Sequence, residues 1–189
     1  METFKLFEYN DELIKKSLEL WEFDIQNIPL ELIQHVPMHS FKVTTSSKPL
    51  LYVDNLQCCV SVWALAPNFA FASHINPSVI RNDDFYVDSE DNPIKLKRID
   101  DLYDAIMNSD LNKDDPIKIG LTFGVTPLPK DDPNIRLIYE AIEELIIKLK
   151  EQGITGYFVE RDYEMNFILD SRNGKIILPE EELETKKVL

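Results

Sequence analysis

Residues 50–77 read LLYVDNLQCCVSVWALAPNFAFASHINP, and this stretch decides the fold. It contains apolar runs at residues 50–53, 59–65 and 69–73, and a short turn at residues 66–68 joins the last two. Nearly continuous runs of Val, Trp, Phe and Ala favour strands that are covered on both faces. The sequence therefore predicts a buried β-hairpin that is preceded by a third strand.

This stretch also contains the residues with the most reactive side chains. Both cysteines of the chain, Cys58 and Cys59, precede the second run, and His74 follows the third. A thiol and an imidazole brought together across a hairpin are the minimum parts of a cysteine nucleophile. They are also common in strand cores, where a thiol packs as a small apolar group. The residues alone leave both interpretations open.

The charge of the chain limits its partners. Its 189 residues carry 34 acidic and 20 basic side chains, which gives a net charge of −14. That charge repels nucleic acid and anionic membrane surfaces, so we expect neither as a partner. A length of 189 residues is typical of one domain with its own core. We expect a protein substrate or partner, and the sequence leaves the oligomeric state open.

The cysteines and the N-terminal residues indicate a compartment. Adjacent cysteines cannot pair with each other without strain, so Cys58 and Cys59 are predicted to be free thiols. The first residues lack the apolar run of a signal peptide, and no stretch approaches the roughly 20 apolar residues of a membrane span. We expect a cytoplasmic protein, and no motif calls for a cofactor.

Two helices are predicted to flank the sheet. The first begins at Asn10 or Asp11 and packs one apolar face on the sheet. The apolar residues of that face recur at helical spacing: Leu13, Ile14, Leu18, Trp21 and Ile25. The second helix spans about 133–151, with Asp132 as its cap and Pro133 in its first position.

The remaining segments are predicted from their turn residues and polarity. Residues 30–36 lie between two prolines and form at most a two-turn helix, so residues 1–45 are interpreted as an N-terminal helical elaboration. Residues 41–49 are predicted to be a loop or an edge hairpin. Residues 81–98 form an acidic insertion with too few apolar side chains for a core, and a short helix follows around 102–107.

The C-terminal half adds further strands. Residues 117–125 are predicted to be a buried strand in which Gly120 and Gly124 allow another group to approach the backbone closely. Residues 154–159 form a strand, and an Asn-Gly turn joins a hairpin within residues 166–178. Residues 180–189 are interpreted as a flexible tail.

Together these elements predict one domain with an α/β (α+β) sandwich fold. Its core is a mixed β-sheet flanked by the N-terminal helix and the helix at about 133–151.

The order of these segments resembles the CheD family of chemoreceptor glutamine deamidases. LLYVDNLQCCVSVWAL and FASHINP resemble the part of that family in which a Gly-Ser-Cys turn opens a Val-rich strand and a His-hydrophobe-X-Pro motif closes the next. KIGLTFGV is similar to its Lys-Ile-Phe-Gly-Gly strand, and residues 134–136 correspond to its Arg-Asn-Val helix opening. EQGI and GYFVERDYEMNFILDSRNGKIIL resemble the end of that helix and the closing hairpin. The resemblance covers residues 50–179, about two thirds of the chain.

The resemblance implies a cysteine hydrolase fold shared with toxins of the cytotoxic necrotizing factor type. Cys59 takes the position of the nucleophile and His74 that of the base. The thiolate attacks a glutamine side-chain amide, ammonia leaves, and water hydrolyses the thioester to glutamate. Backbone N–H groups of the turn from Gln57 through Cys58 to Cys59 would stabilise the oxyanion.

This sequence departs from the family at two places beside the nucleophile. Gln57 and Cys58 replace the small Gly-Ser pair. Val53, six residues before Cys59, replaces a threonine whose hydroxyl orients the histidine. In the toxin branch a backbone carbonyl orients it instead. The alternative function is a catalytically inactive protein-binding module of the same fold.

Two other groups of residues contain side chains of the types that bind metal ions. His35 and His39 are four residues apart, but Pro37 breaks the helix that would align them. Glu160, Asp162 and Glu164 alternate near a strand end, where a solvated turn explains them better than a metal does. No metal site is predicted.

Overall fold

The computed structural model describes residues 11–20, 23–162 and 164–179. Its helices in these ranges are α1 (Asp11–Leu20), α2 (Arg98–Met107) and α3 (Pro133–Glu151). Its strands are β1 (Ile33–His35), β2 (Ser40–Val43), β3 (Leu50–Val53), β4 (Val60–Ala66), β5 (Phe69–His74), β6 (Phe85–Val87), β7 (Pro93–Leu96), β8 (Ile117–Phe123), β9 (Gly156–Arg161), β10 (Phe167–Asp170) and β11 (Lys175–Ile177). Among the described helices, none has the length and apolar character needed to cross a membrane.

The strands form two mixed sheets that pack face to face. The four-stranded sheet has the order β1-β3-β10-β11, and the five-stranded sheet has the order β2-β5-β4-β8-β9. The pairs β1–β3 and β8–β9 are parallel, whereas the other pairs in these sheets are antiparallel. The strands β6 and β7 form a separate hairpin. The predicted α/β sandwich with a mixed-sheet core is confirmed, and the core contains two such sheets where the sequence predicted one.

The core consists of three apolar layers. The inner layer joins the two sheets through β3, β4, β5 and β10. The helices α2 and α3 cover the outer face of the five-stranded sheet. The helix α1 places Ile14 and Leu18 on the outer face of the four-stranded sheet, against Leu50, Tyr52 and Ile168. The prediction that the first helix packs one face on a sheet is thus confirmed for Ile14 and Leu18. It is wrong for Leu13, whose side chain is exposed, and for Ile25, which lies in a 3₁₀ turn after α1 has ended at Leu20. Trp21 lies outside the described residues.

The central hairpin and the long helix form as predicted. Every residue of β4 and β5 is buried, and Asn68 in the turn has φ 63°. The side chain of Asp132 accepts a hydrogen bond from the N–H of Asn134 at 2.9 Å and caps α3. Gly153, just after the helix, has φ 77°, which is a left-handed conformation that glycine adopts without strain.

Residues 30–43 differ from the prediction. A single 3₁₀ turn, Leu30–Leu32, replaces the expected helix, and β1 follows it. Ile33 pairs with Leu50, and a strand that gains backbone hydrogen bonds and a buried face is more stable than a two-turn helix. The strand β2 pairs with β5 at the edge of the five-stranded sheet. The N-terminal residues therefore contribute one strand to each sheet.

The acidic segment 81–98 also differs from the prediction. It forms the hairpin of β6 and β7, and Phe85 and Leu96 lie fully within the core beneath α2 and α3. The expectation that this segment is too polar to enter the core is wrong. The two apolar side chains pair across the hairpin and face inward, while Asp83, Asp88, Glu90 and Asp91 are exposed and Asp84 is buried.

Gly120 and Gly124 allow close approach, as predicted. The indole of Trp63 occupies the space beside Gly120, since a Cβ there would lie 2.0 Å from the ring. A Cβ on Gly124 would lie 1.4 Å from the carbonyl oxygen of Leu56. The turn that precedes Cys59 is therefore seated directly on the backbone that follows β8.

We expect Gly124→Ala to lower the free energy of unfolding by at least about 2 kcal/mol, because a backbone carbonyl cannot move aside cheaply. Gly156→Ala is the matched control, since its Cβ would meet the mobile end of the Ile119 side chain at 3.2 Å. That control should lower the free energy of unfolding by about 1 kcal/mol or less. Urea unfolding of both variants measures the difference, and equal midpoints would contradict the close contact at Gly124.

Candidate active site

The register of the central hairpin places the predicted catalytic pair. Trp63 pairs with Ala72, and Val60 bridges to Ile75, so the numbers of opposed residues sum to 135. By the same register, Cys59 stands opposite Asn76, and Ser61 stands opposite His74. His74 is therefore the diagonal neighbour of Cys59.

Both side chains belong to the inner face of the five-stranded sheet. Cys59 packs in the layer between the sheets with Trp63 and Leu65. His74 follows Ala70 and Ala72 of the same layer at two-residue steps, and alternate residues of a strand share a face. Diagonal neighbours of this kind have Cα atoms typically about 7–8 Å apart, within reach of longer side chains. The structure thus brings the two predicted residues together on one face.

The pair is closed to solvent. Cys59 is 2% exposed and His74 is 3% exposed. No hydrogen bond between these two side chains is formed in the described structure. Cys58 and Cys59 are both free thiols, as predicted, but only Cys58 is exposed.

The environment of Cys59 keeps its thiol protonated. Burial raises the pKa of Cys59 to about 12, and the neighbouring Cys58 and the carboxylate of Asp84 act in the same direction. A thiolate is the reactive form of cysteine, so Cys59 is held in its unreactive form at neutral pH.

The environment of His74 keeps its imidazole neutral. Burial lowers the pKa of His74 to about 4. The carboxylate of Asp54 and the backbone of Val36 raise it, whereas His35 and His39 lower it further. A backbone group that favours the protonated ring is an acceptor, so the Val36 carbonyl lies beside the imidazole. Neither ring nitrogen completes a hydrogen bond with a described residue.

The turn before Cys59 was predicted to supply oxyanion donors. The N–H of Cys59 donates to the carbonyl of Leu56 at 3.0 Å, so it is already engaged. The carbonyl of Gln57 accepts from the N–H of Thr126 at 2.8 Å, which fixes the turn. Gln57 and Cys58 are exposed, and their N–H groups bond no residue that the structure describes. Two of the three predicted donors are thus available.

Val53 lies in β3 and shares the inner layer with Cys59. It is fully buried and pairs with Phe167 of β10. Since valine has no hydroxyl, it orients nothing by hydrogen bonding. The backbone of Val36 is the polar group that the structure places beside His74 from the four-stranded side.

The other two histidines each meet a separate carboxylate. His35 Nε2 lies 2.8 Å from Asp54 Oδ1, and His39 Nδ1 lies 2.5 Å from Asp84 Oδ2. Asp84 is fully buried and also accepts from Arg98 Nε at 3.0 Å. These pairs leave no local signal in the sequence, because 19 and 45 residues separate the partners.

The residues that have metal-ligand spacing in the sequence make contacts with other side chains. Within the described ranges, no group of three or more His, Cys, Asp or Glu could hold a metal ion. Lys130 bonds the carboxylates of Glu160 and Asp162, and Arg161 bonds that of Glu164. The carboxylates near the end of β9 are therefore paired with cations.

Comparisons with known proteins add no relative. No protein-family model matches the chain, and no curated protein matches it either. The resemblance to glutamine deamidases thus rests on the sequence motifs, and the activity stays a prediction.

We expect the protein to lose stability as the pH falls from about 6.5 to about 4. In this window the unfolded chain binds a proton at His74, whereas the folded chain, with its lowered pKa, does not. Stability therefore rises with pH across the window, by up to roughly 3 kcal/mol. His74→Leu removes the titrating group and should flatten this part of the curve, measured by urea unfolding at each pH. A variant that keeps the wild-type slope would show that His74 is not the group responsible.

Proposed function

We propose that this protein is a cysteine-dependent amidohydrolase that converts a glutamine side chain of a protein substrate to glutamate. Cys59 is the nucleophile and His74 is the general base. The observation that carries the proposal is the buried imidazole of His74, which has no hydrogen-bond partner among the described residues and lies on the same sheet face as the Cys59 thiol. We place the reaction in the cytoplasm, where free thiols stay reduced.

The reaction divides into two steps. The Cys59 thiol passes its proton to His74, and the sulfur attacks the amide carbon. The tetrahedral oxyanion is bound by the N–H groups of Gln57 and Cys58. The C–N bond then breaks, and ammonia leaves with the proton that His74 returns, which gives a thioester. Water, deprotonated by His74, attacks the thioester and releases glutamate and the Cys59 thiol.

Because Cys59 and His74 are both buried, this mechanism requires that the substrate open the site. The neutral thiol and neutral imidazole are the stable forms in the closed site, so the proton transfer must be coupled to substrate entry. The residues Gln57 and Cys58 are exposed and directly precede the nucleophile. They form the part of the turn that a substrate meets first, and they are bulkier than the Gly-Ser pair of the deamidase family.

A second function is favoured by the same burial. A thiol with its pKa raised to about 12 beside an imidazole with its pKa lowered to about 4 is also what a purely structural core would contain. In that case the protein is a binding module of the deamidase fold, without activity. Its net charge of −14 suits a basic or neutral protein partner rather than nucleic acid.

A peptide with a chloromethyl ketone in place of the glutamine amide separates the two functions. In Cys58→Ser, Cys59 is the single remaining thiol. We expect the peptide to alkylate it at least tenfold faster than it alkylates a free model thiol, because the site positions the carbon for attack. Adding His74→Ala to this variant should lower the alkylation rate of Cys59 to that of the model thiol. Mass spectrometry of the intact protein measures the rates.

The binding-module function is supported if Cys59 of the folded Cys58→Ser variant stays unlabelled while the urea-unfolded variant is labelled. The unfolded sample is the control for a competent reagent. Wild-type protein should show additional labelling at the exposed Cys58, independent of His74.

The effect of the turn on access to Cys59 is tested by replacing Gln57 with glycine, the small residue of the deamidase family. We expect Gln57→Gly in the Cys58→Ser background to raise the alkylation rate of Cys59 several-fold, since the side chain at position 57 narrows the approach to the thiol. Gln57→Ala in the same background keeps a Cβ and is the matched control, with a smaller increase. Equal rates in the three proteins would show that residue 57 does not limit access.

A further inference from the structure

The pairing of β4 with β5 is altered beside His74. Val60 and Ile75 exchange both backbone hydrogen bonds, at 2.8 and 2.9 Å. Two residues further along, the backbone of Val62 bonds the hydroxyl of Ser73 instead, at 3.3 Å for its N–H and 2.9 Å for its carbonyl. Between these two positions lie Ser61 and His74, opposite each other.

Ser61 and His74 are opposed residues on one face of the hairpin. They follow the hydrogen-bonded pair of Val60 and Ile75 in the register, and directly opposed residues of two antiparallel strands have Cβ atoms typically about 4.5–5.5 Å apart. Ser61 is 0% exposed and is two residues from Cys59, so it lies on the same inner face. The nucleophile, the base and this hydroxyl are therefore immediate neighbours.

The polar atoms of this pair lack partners. The Oγ of Ser61 and both ring nitrogens of His74 are buried and bond no described residue. A buried polar group without a partner destabilises the fold, because it has lost its hydrogen bonds with water. Because the two residues face each other, one contact between them would satisfy a polar atom on each side.

We propose that Ser61 is a positioning residue for His74. Its hydroxyl bonds a ring nitrogen, directly or through one buried water, and holds the imidazole in the orientation that exchanges a proton with Cys59. This inference rests on the proposed function for the purpose of that orientation. Ser61, on the five-stranded sheet, thus supplies the orienting hydroxyl. Val53, on the other sheet, cannot supply it because valine has no hydroxyl.

The side-chain polar groups around the ring are already engaged, and the Val36 carbonyl lies beside the ring from the four-stranded side. Asp54 accepts from Ser17 and contacts His35, while His39 contacts Asp84. The hydroxyl of Ser73 is committed to the backbone of Val62. Ser61 is thus the neighbouring hydroxyl that remains for His74 on this face.

Nuclear magnetic resonance of the ¹⁵N-labelled histidine rings tests the contact without any substrate. The tautomer ratio and the titration of His74 are compared in wild type, Ser61→Ala and Ser61→Thr. Charges facing the ring come from Asp54 and His35 on the four-stranded side and from His39 before β2, and all three are unchanged in these variants. Ser73→Ala is the control for loss of a buried hydroxyl in the same hairpin.

We expect Ser61→Ala to change the tautomer ratio of His74 and shift its titration midpoint by at least 0.5 pH unit, whereas Ser61→Thr and Ser73→Ala stay near wild type. In the Cys58→Ser background, Ser61→Ala should also slow alkylation of Cys59 by the chloromethyl ketone peptide, and threonine should restore the rate.

The outcomes separate the two proposals. If Cys59 reacts rapidly but Ser61→Ala leaves the ring signals and the rate unchanged, the role of Ser61 is overturned and the hydrolase proposal stands. If Ser61→Ala changes the ring signals but Cys59 is inert in every variant, the contact is supported and the catalytic purpose is lost.

Discussion

The close contact between the Leu56 carbonyl and Gly124 is the constraint on which the candidate site depends. The chain crosses from the four-stranded to the five-stranded sheet between β3 and β4, and this crossing must be tight for Cys59 to enter the inner layer. The N–H of Leu56 bonds the carbonyl of Met165, and the N–H of Asn55 bonds Asn166 Oδ1, both at 3.0 Å. Asn55 adopts φ 56°, a left-handed conformation that asparagine tolerates. A side chain at position 124 would push this turn outward and move the thiol with it.

The inner layer departs from the usual rules of a core at one place. Elsewhere it is apolar, and the indole N–H of Trp63 has a partner in Thr122 at 2.8 Å. At Ser61 and His74 the buried polar atoms are unpaired, which is costly in a region where leucine or alanine would pack without penalty. Local violations of this kind are expected where a site performs chemistry. This reasoning favours the hydrolase over a core in which the histidine is merely tolerated.

The sequence predicted the elements whose signals are local. The helix α3 is specified by its own cap and apolar face, and the buried hairpin of β4 and β5 by continuous apolar runs. The face shared by Cys59 and His74 follows from the turn and the strand period, so it also was accessible. The features that the sequence did not predict depend on residues distant in the chain. The segment β1 is a strand because β3 lies beside it. Asp84 can be buried because His39 and Arg98 contact its carboxylate. Ser61 carried no signal until the register set it opposite His74.

Burial of the Cys59 thiol has a chemical consequence that links the two cysteines. A protonated thiol is a poor target for oxidants as well as a poor nucleophile, so Cys59 is protected while the site is closed. The exposed Cys58 contributes to that protection, since its proximity helps to raise the pKa of Cys59. A substrate that opens the site would reduce the burial of Cys59 and, at the same time, bring its amide to the N–H groups of Gln57 and Cys58. Access and activation would then be one event, because burial is the main cause that keeps the thiol protonated.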